Sequence, residues 1–423
     1  MSLDHGFILL LIAACGAFFM AFCNGANDVA NAFASAVGSK ALKPRMALLI
    51  ASVVTFCGAV FLGGEVVVYL IEGLAPPKIF ASPHDYVLGM IAVLLSAGLF
   101  VLLSTLKGMP VSATHAIVGG LTGVAVTLQG WEAINWFVMF TIASTWVVAP
   151  VLAAICALLL ASFIRRVIIG QGTTGTLKRV RRRLPALISF TISAAAFGIM
   201  VSTRLGEIIG AGIWESALLA VFLFLPVYAQ SKYFVKRTLK KAPDNPKGAE
   251  RAFRRLQVGT SCYVAFGNGS NDVSNSISPV FAIYMVYQSG GFPQDFTEES
   301  IPFWILALGG LGIATGITFL GKRVIKTLGK KITKINHSRG FSIDFSVASI
   351  VVGASLFGLP VSTTQAATGA VVGAGLSRGA LSKVNFRMIG YIILTWIITV
   401  PTAGLITIAV YHLLSLILPG TIA

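Results

Sequence analysis

The sequence predicts an all-α integral membrane protein of about twelve membrane segments, built as two inverted-topology repeats with broken, re-entrant helices at a midplane site. Three observations carry that prediction. The 423 residues are 56% hydrophobic and only 11% charged, with a mean hydropathy of +0.85, against about 25% charged in an ordinary soluble domain. The basic residues gather between apolar runs of spanning length. Two polar motifs, each set in apolar surroundings, occur twice in the same order.

The apolar segments lie near 3–38, 45–71, 86–106, 110–128, 131–163, 184–203, 208–230, 256–287, 301–321, 341–357, 359–376 and 387–417. The N terminus "MSLDHGF" has no basic n-region and no convincing cleavage site, so the first segment is expected to stay as a span. The five cysteines lie in apolar segments without paired spacing and read as small buried hydrophobes.

A net charge of +17 could point to nucleic acid, but 23 of the 32 Lys and Arg fall in 165–183, 232–255 and 322–339. Each stretch separates apolar segments, which is the pattern of cytoplasmic loops. That distribution sets a nucleic-acid partner aside in favour of a lipid bilayer, in a multi-pass protein of the cell membrane. With the basic stretches inside, 184–203 and 208–230 form a hairpin with "RLGE" outside, and both termini are extracytoplasmic. Loops 72–85 and 288–300 also fall outside, while Arg378, Lys383 and Arg387 are inside. Segment 3–38 then runs inward and 256–287 outward, so charge alone makes the halves inverted.

The repeat supports this independently. "NGANDVANA" (Asn24–Ala32) returns as "NGSNDVSNS" (Asn268–Ser276) at an offset of 244, and "GMPVSATHAIVGG" (Gly108–Gly120) as "GLPVSTTQAATGA" (Gly358–Ala370) at an offset of 250. The expected organisation is a first repeat over 1–163, a connector over 164–255 and a second repeat over 256–423.

In each ND motif the polar residues fall on one helical stripe: Asn24, Asn27, Asp28 and Asn31, then Asn268, Asn271, Asp272 and Asn275. Were Gly25 or Gly269 to break its helix, the preceding Asn would become an N-cap. An aspartate at the bilayer centre costs about 2.5–3.5 kcal/mol and needs a partner. Neither motif segment holds a Lys or Arg, and Glu65, the other acid read within a span, lies toward an outer end. Asp28 and Asp272 therefore read as seats for a mobile cation, with Asn24, Asn31, Asn268 and Asn275 supplying amide oxygens.

The second motif has the opposite character. Gly-x-Pro breaks the chain, and proline suits the first turn of the resuming helix. Its unpaired N–H groups and dipole face the break, and Ser112, Thr114, Ser362, Thr363 and Thr364 add hydroxyls there. Two such helix starts suit an anion. Lys107, without a counterpart in the second half, reads as a snorkelling lysine with the anion as its lesser alternative, and His115, matched by Gln365, as a hydrogen-bonding helix residue. Anion donors and two carboxylates tolerate one another only with cations between them, which couples the two ligands.

These four motifs, in order across nearly the whole chain, resemble the PiT-type inorganic phosphate transporter family. The resemblance implies a polytopic phosphate carrier, driven by sodium or in many relatives by protons, often dimeric, with Asn27, Asp28, Ser112, Thr114, Asn271, Asp272, Ser362 and Thr364 in its site. The combined expectation is sodium-coupled phosphate symport, Asn27 and Asn271 joining the hydroxyls on phosphate, with no resident cofactor. A proton-coupled carrier, or one for sulfate or a metal–phosphate complex, is the near alternative, and a cation channel or exchanger the remote one. No nucleophile–base pair, metal triad or nucleotide loop suggests an enzyme.

Overall fold

The computed structural model describes residues 3–170, 175–201, 210–293, 295–297, 301–325, 335–379 and 384–419. Among them the regular structure is helical, without strands. The "RLGE" turn and Lys383 lie outside the described residues, as does the side chain of Glu65.

Helix α1 (Leu3–Gly38) is 36 residues long, about 54 Å at 1.5 Å per residue. It runs unbroken through Gly25, and α9 (Pro246–Ser289) does the same through Gly269. The N-cap role considered for Asn24 and Asn268 therefore does not arise. The two glycines serve close packing instead. A Cβ on Gly25 would meet the Ile313 carbonyl oxygen at 2.2 Å, and one on Gly269 the Thr55 oxygen at 2.2 Å.

The expected segment 45–71 divides at Gly63–Gly64 into α2 (Pro44–Leu62) and α3 (Glu65–Leu74). Helix α4 (Pro83–Leu106) starts on a Ser82 cap with proline in its first turn. It is followed by α5 (Ala113–Gln129) and by α6 (Trp136–Phe163), which continues as a π-turn over Ile164–Ile169. Helices α7 (Thr176–Val201) and α8 (Ile213–Thr238) pack on each other and share a small apolar cluster with the start of α9, around Val180, Leu184, Val235 and Phe253. The second half continues with α10 (Phe303–Leu320), α11 (His337–Ser355), α12 (Thr363–Leu376) and α13 (Phe386–Ile417).

Where they are described, the basic stretches 165–183 and 232–255, read as loops, are largely helical. Thr176 begins α7 inside "TLKRVRRR", α8 continues to Thr238, and α9 begins at Pro246. Long basic side chains keep their charges in water while their helices carry on past the apolar zone.

Among the described residues, eight helical stretches are long and apolar enough to cross a membrane. The other four expected segments are special: α9 and α11 carry polar residues in their interiors, and α5 and α12, at 17 and 14 residues, fall short of the roughly 20 that span a bilayer.

Packing crosses between the halves with the regularity of the sequence repeat. A Cβ at Gly58 would strike the Phe266 oxygen, and one at Gly316 the oxygen of Phe22, the match of Phe266 in the ND repeat. Gly119 and Gly123 of α5 back onto Val400 and Gly404 of α13, while Gly369 and Gly373 of α12 back onto Pro150 and Ala154 of α6. Each residue of the second pairing differs from its counterpart in the first by the same 250 positions that relate the two Pro-Val-Ser motifs. Helices α1 and α9 lie antiparallel: Asn24 meets Asp272 at one level and Ser39 meets Gln257 at another.

Candidate functional site

The site forms where α1 and α9 pass the starts of α5 and α12. Gly108 (φ 67°) and Gly358 (φ 62°) turn the chain left-handed after α4 and α11, a backbone conformation glycine adopts without steric cost. An extended stretch follows each. Ser112 caps α5 by accepting from the His115 N–H at 3.2 Å, and Ser362 caps α12 by accepting from the Gln365 N–H at 3.3 Å. Each serine hydroxyl keeps its own proton to donate.

Asn27 and Asn271 hold these stretches in place. The Asn27 amide donates to the Met109 carbonyl (3.1 Å) and the Thr105 hydroxyl (2.9 Å), and its oxygen accepts from the Val111 N–H (3.2 Å). Asn271 donates to the Val361 carbonyl (2.5 Å) and accepts from the Val361 N–H (3.3 Å). The hydroxyls then lock the two starts together: Thr364 donates to the Val111 carbonyl at 3.1 Å, and Thr114 to that of Val361 at 3.4 Å.

Both carboxylates lie at this junction, Asp28 and Asp272 being 4% and 3% exposed. The Thr363 hydroxyl lies 3.4 Å from an oxygen of each, so those oxygens are no further apart than twice that distance. Thr364 adds a contact to Asp28 at 3.3 Å. Thr363 has no counterpart in the first half, where Ala113 stands. Among the described residues no basic side chain forms an ion pair with either acid.

Around the acids, four buried amide oxygens have no hydrogen-bond partner: those of Asn24, Asn31, Asn268 and Asn275. Asn31 donates through its nitrogen to Thr363 (3.1 Å) and Thr364 (3.0 Å), Asn275 to Thr114 (3.4 Å), and Asn24 to the Asp272 carbonyl (2.9 Å). A cavity of about 10 Å³ lies beside the acids, lined by Gly25, Asp28, Thr55 and Asp272 and, of the four asparagines, by Asn268, room for one water-sized guest. Carboxylate and amide oxygens around such a space are the hard donor set of an alkali cation.

Every residue anticipated for the site is thus buried around one junction. The structure divides them by what their polar atoms do. Asn27 and Asn271 bind backbone, whereas the oxygens of Asn24, Asn31, Asn268 and Asn275 face no protein donor. Lys107 is exposed at the end of α4, and His115 accordingly hydrogen-bonds within the helices, Nδ1 to the Trp396 carbonyl at 3.2 Å.

One group escaped sequence reading. Asp344 in α11 is fully buried and accepts from Ser35 (2.6 Å) and Ser261 (2.6 Å), with the Gln257 amide on Ser35 at 3.3 Å. An acid inside an apolar run was the signal that singled out Asp28 and applies equally to Asp344, which has no acidic match in the first half.

A profile of the phosphate transporter family matches residues 24–407. The chain is 37% identical over 417 residues to a Pyrococcus abyssi protein named "Putative phosphate permease", covering 98% of this chain and 99% of that one. It is 34% identical over 415 residues to the chloroplastic inorganic phosphate transporter 2-1 of Arabidopsis thaliana, covering 93% of this chain and 70% of that one. A solved structure, a sodium-dependent phosphate transporter, superposes with a TM-score of 0.88 at 37% identity, over 97% of this chain and 100% of the other.

Proposed function

The chain belongs to the phosphate transporter family, and on that premise we propose that it imports inorganic phosphate together with sodium by alternating access. The observation that carries this reading is the pairing of two buried carboxylates and four unpartnered amide oxygens with two hydroxyl-bearing helix starts. In it, sodium binds the oxygens of Asp28, Asp272, Asn24, Asn31, Asn268 and Asn275. Phosphate binds the hydroxyls of Ser112, Thr114, Ser362, Thr363 and Thr364 and the N–H groups behind them. Asn27 and Asn271 act on phosphate by holding the two binding stretches in place.

Coupling follows from charge. Like unit charges 4 Å apart at an effective dielectric of 20 repel by about 4 kcal/mol. Phosphate arriving beside two bare carboxylates meets that penalty, and sodium between them removes it. By linkage, phosphate raises sodium affinity by the same factor. The antiparallel α1 and α9 support two inverted repeats, 1–163 and 256–423, joined by a connector over 164–255, that rock about this site. The protein works in the cell membrane with both termini outside, as a homodimer.

Labelled-phosphate uptake into proteoliposomes tests this, with an inward sodium gradient or an equal proton gradient and sulfate as competitor. Sodium-driven, sulfate-resistant uptake is expected. A proton-coupled reading is favoured by one observation, the single hydroxyl of Thr363 between two acids, since such a pair can share a proton. Uptake that follows protons and ignores sodium would select it.

A further inference from the structure

Matching parts of the two repeats approach the site with different charge. Gly63 and Gly321 hold the same place in "VFLGG" (60–64) and "TFLGK" (318–322), and they pack on the matching valines of the two ND motifs. A Cβ on Gly63 would meet Val273 at 2.5 Å, and one on Gly321 would meet Val29 at 2.7 Å. Past Gly63 the chain continues with Gly64 and Glu65, past Gly321 with Lys322 and Arg323. The Gly-x-Pro breaks repeat the contrast: Phe357 precedes Gly358, and Lys107 precedes Gly108.

The three cations come from opposite halves and converge. Lys107, Lys322 and Arg323 are exposed and line one cavity of about 520 Å³ with Leu106 and Gly108, where α4 and α10 end. A second cavity of about 420 Å³ shares Lys107 and Gly108 with the first and runs on past Met109 and Pro110, with the hydroxyl-bearing Tyr391 and Thr395 of α13 along it. The groove so formed follows the chain break that leads to Ser112. It lies close to the site. Lys107 stands two residues past Thr105, whose hydroxyl accepts from Asn27, and Lys322 follows the glycine packed on Val29, the neighbour of Asp28. No acid lines either cavity, and among the described residues none of the three cations forms an ion pair. Cations that only set topology can stand anywhere on their face of the membrane; these three share one space.

We propose that this groove is a second anion site, for a phosphate group, in which inorganic phosphate waits between water and the midplane site. The waiting role rests on the phosphate reading and the membrane orientation proposed above. The Arg323 guanidinium offers paired N–H donors that match two phosphate oxygens, and the two ammonium groups add charge from the other side of the space. Concentrated positive charge at a mouth raises the local concentration of an anion and speeds its capture. The repeat sets Phe357, Gly64 and Glu65 in the corresponding place, so the effect is one-sided and acts at the face that the basic stretches mark as cytoplasmic. A phospholipid headgroup carries the same chemistry and is the other source of such a group.

Equilibrium binding of radiolabelled inorganic phosphate to the full-length protein in phosphatidylcholine nanodiscs tests the site, with sodium present or replaced by choline. Two variants are measured beside the wild type: one combining Lys107→Gln, Lys322→Gln and Arg323→Gln, the other keeping every charge with Lys107→Arg, Lys322→Arg and Arg323→Lys. The wild type should bind one phosphate that requires sodium, at the midplane, and one that does not. The glutamine variant should bind the sodium-independent phosphate at least about tenfold more weakly and keep the other, while the charge-preserving variant keeps both. Rising choline chloride should weaken the sodium-independent site, because exposed charges are screened. No sodium-independent binding in the wild type, or equal binding in wild type and glutamine variant, would overturn the proposal. Absence of the sodium-dependent phosphate alone would overturn the midplane reading and the waiting role, and leave the groove as a phosphate site. Phosphatidylglycerol retained by delipidated wild type but not by the glutamine variant, with no sodium-independent phosphate bound, would assign the groove to a lipid headgroup and overturn the waiting role. In inside-out membrane vesicles the glutamine variant should raise half-saturating phosphate at least about threefold, and in right-side-out vesicles leave it unchanged. An unchanged value in both orientations would overturn the waiting role alone.

Discussion

Replacing Asp272 with Asn tests the cation assignment at its centre. The substitution keeps the shape of the side chain and an oxygen for the Thr363 hydroxyl, which lies 3.4 Å away, and it removes one negative charge. A cation whose charge sits about 4 Å from the carboxylate gains about 4 kcal/mol from it at an effective dielectric of 20. At roughly 1.4 kcal/mol per decade, sodium affinity should fall by nearly three decades. The assay is phosphate uptake into proteoliposomes across a sodium titration, with phosphate binding measured separately without sodium. Half-saturating sodium should rise by about that factor, or sodium-driven uptake should vanish. Sodium-free phosphate binding should hold or strengthen, because a repelling charge has gone. Asp28→Asn should behave alike, since Asp28 takes the same Thr363 contact and one more from Thr364. Wild-type sodium dependence in both variants would refute the reasoning. A changed pH profile with no change in sodium dependence would recast the pair as proton carriers.

Asn271→Ala strips the Val361 N–H and carbonyl of their amide partner, at about 1–3 kcal/mol for each buried group left unpaired; half-saturating phosphate should rise at least about tenfold with the protein still folded, and an unchanged value would show that the α12 start holds without it. Gly369→Val places a Cβ 2.1 Å from the Pro150 oxygen, so α12 and α6 must separate, and a loss of about 1–3 kcal/mol or more should appear as a lower melting temperature. Gly259→Ala, with nothing within 4 Å, should be silent or slightly stabilising in the same measurement. Between α8 and α9, Asp244 accepts from the Leu177 and Gly175 N–H groups, and chiefly the Leu177 bond holds its carboxyl below the usual range. A depressed value means the clip is fully present above the ordinary carboxylate pKa and is lost as pH falls through the lower folded one. The protection factor of the Leu177 amide should therefore be flat from neutral pH down to about 4 and drop below it; no change down to pH 2 would count against the clip.

Much of this molecule was legible in its sequence, because the relevant signals are local or repeated. Hydropathy marks segments that must leave water. Doubled ND and Pro-Val-Ser motifs mark polar groups too costly to bury without a purpose. The glycines beside those motifs were legible only as exceptions. In isolation Gly25 and Gly269 read as helix breakers, and only the three-dimensional packing shows that neighbouring backbones lie where their Cβ atoms would be. The same holds for Asn27 and Asn271. A side-chain amide can bind an ion or a backbone equally well, and the choice depends on whether Val111 and Val361 lie within reach. Asp344 carries a legible signal, an acid in an apolar run, but its partners Ser35 and Ser261 are far away in the chain. Composition, the helical membrane-protein class and the inventory of polar groups were therefore settled by the sequence itself. The tertiary structure decided which groups satisfy one another and which stay unpaired, because that depends on contacts between the two halves that no local pattern encodes.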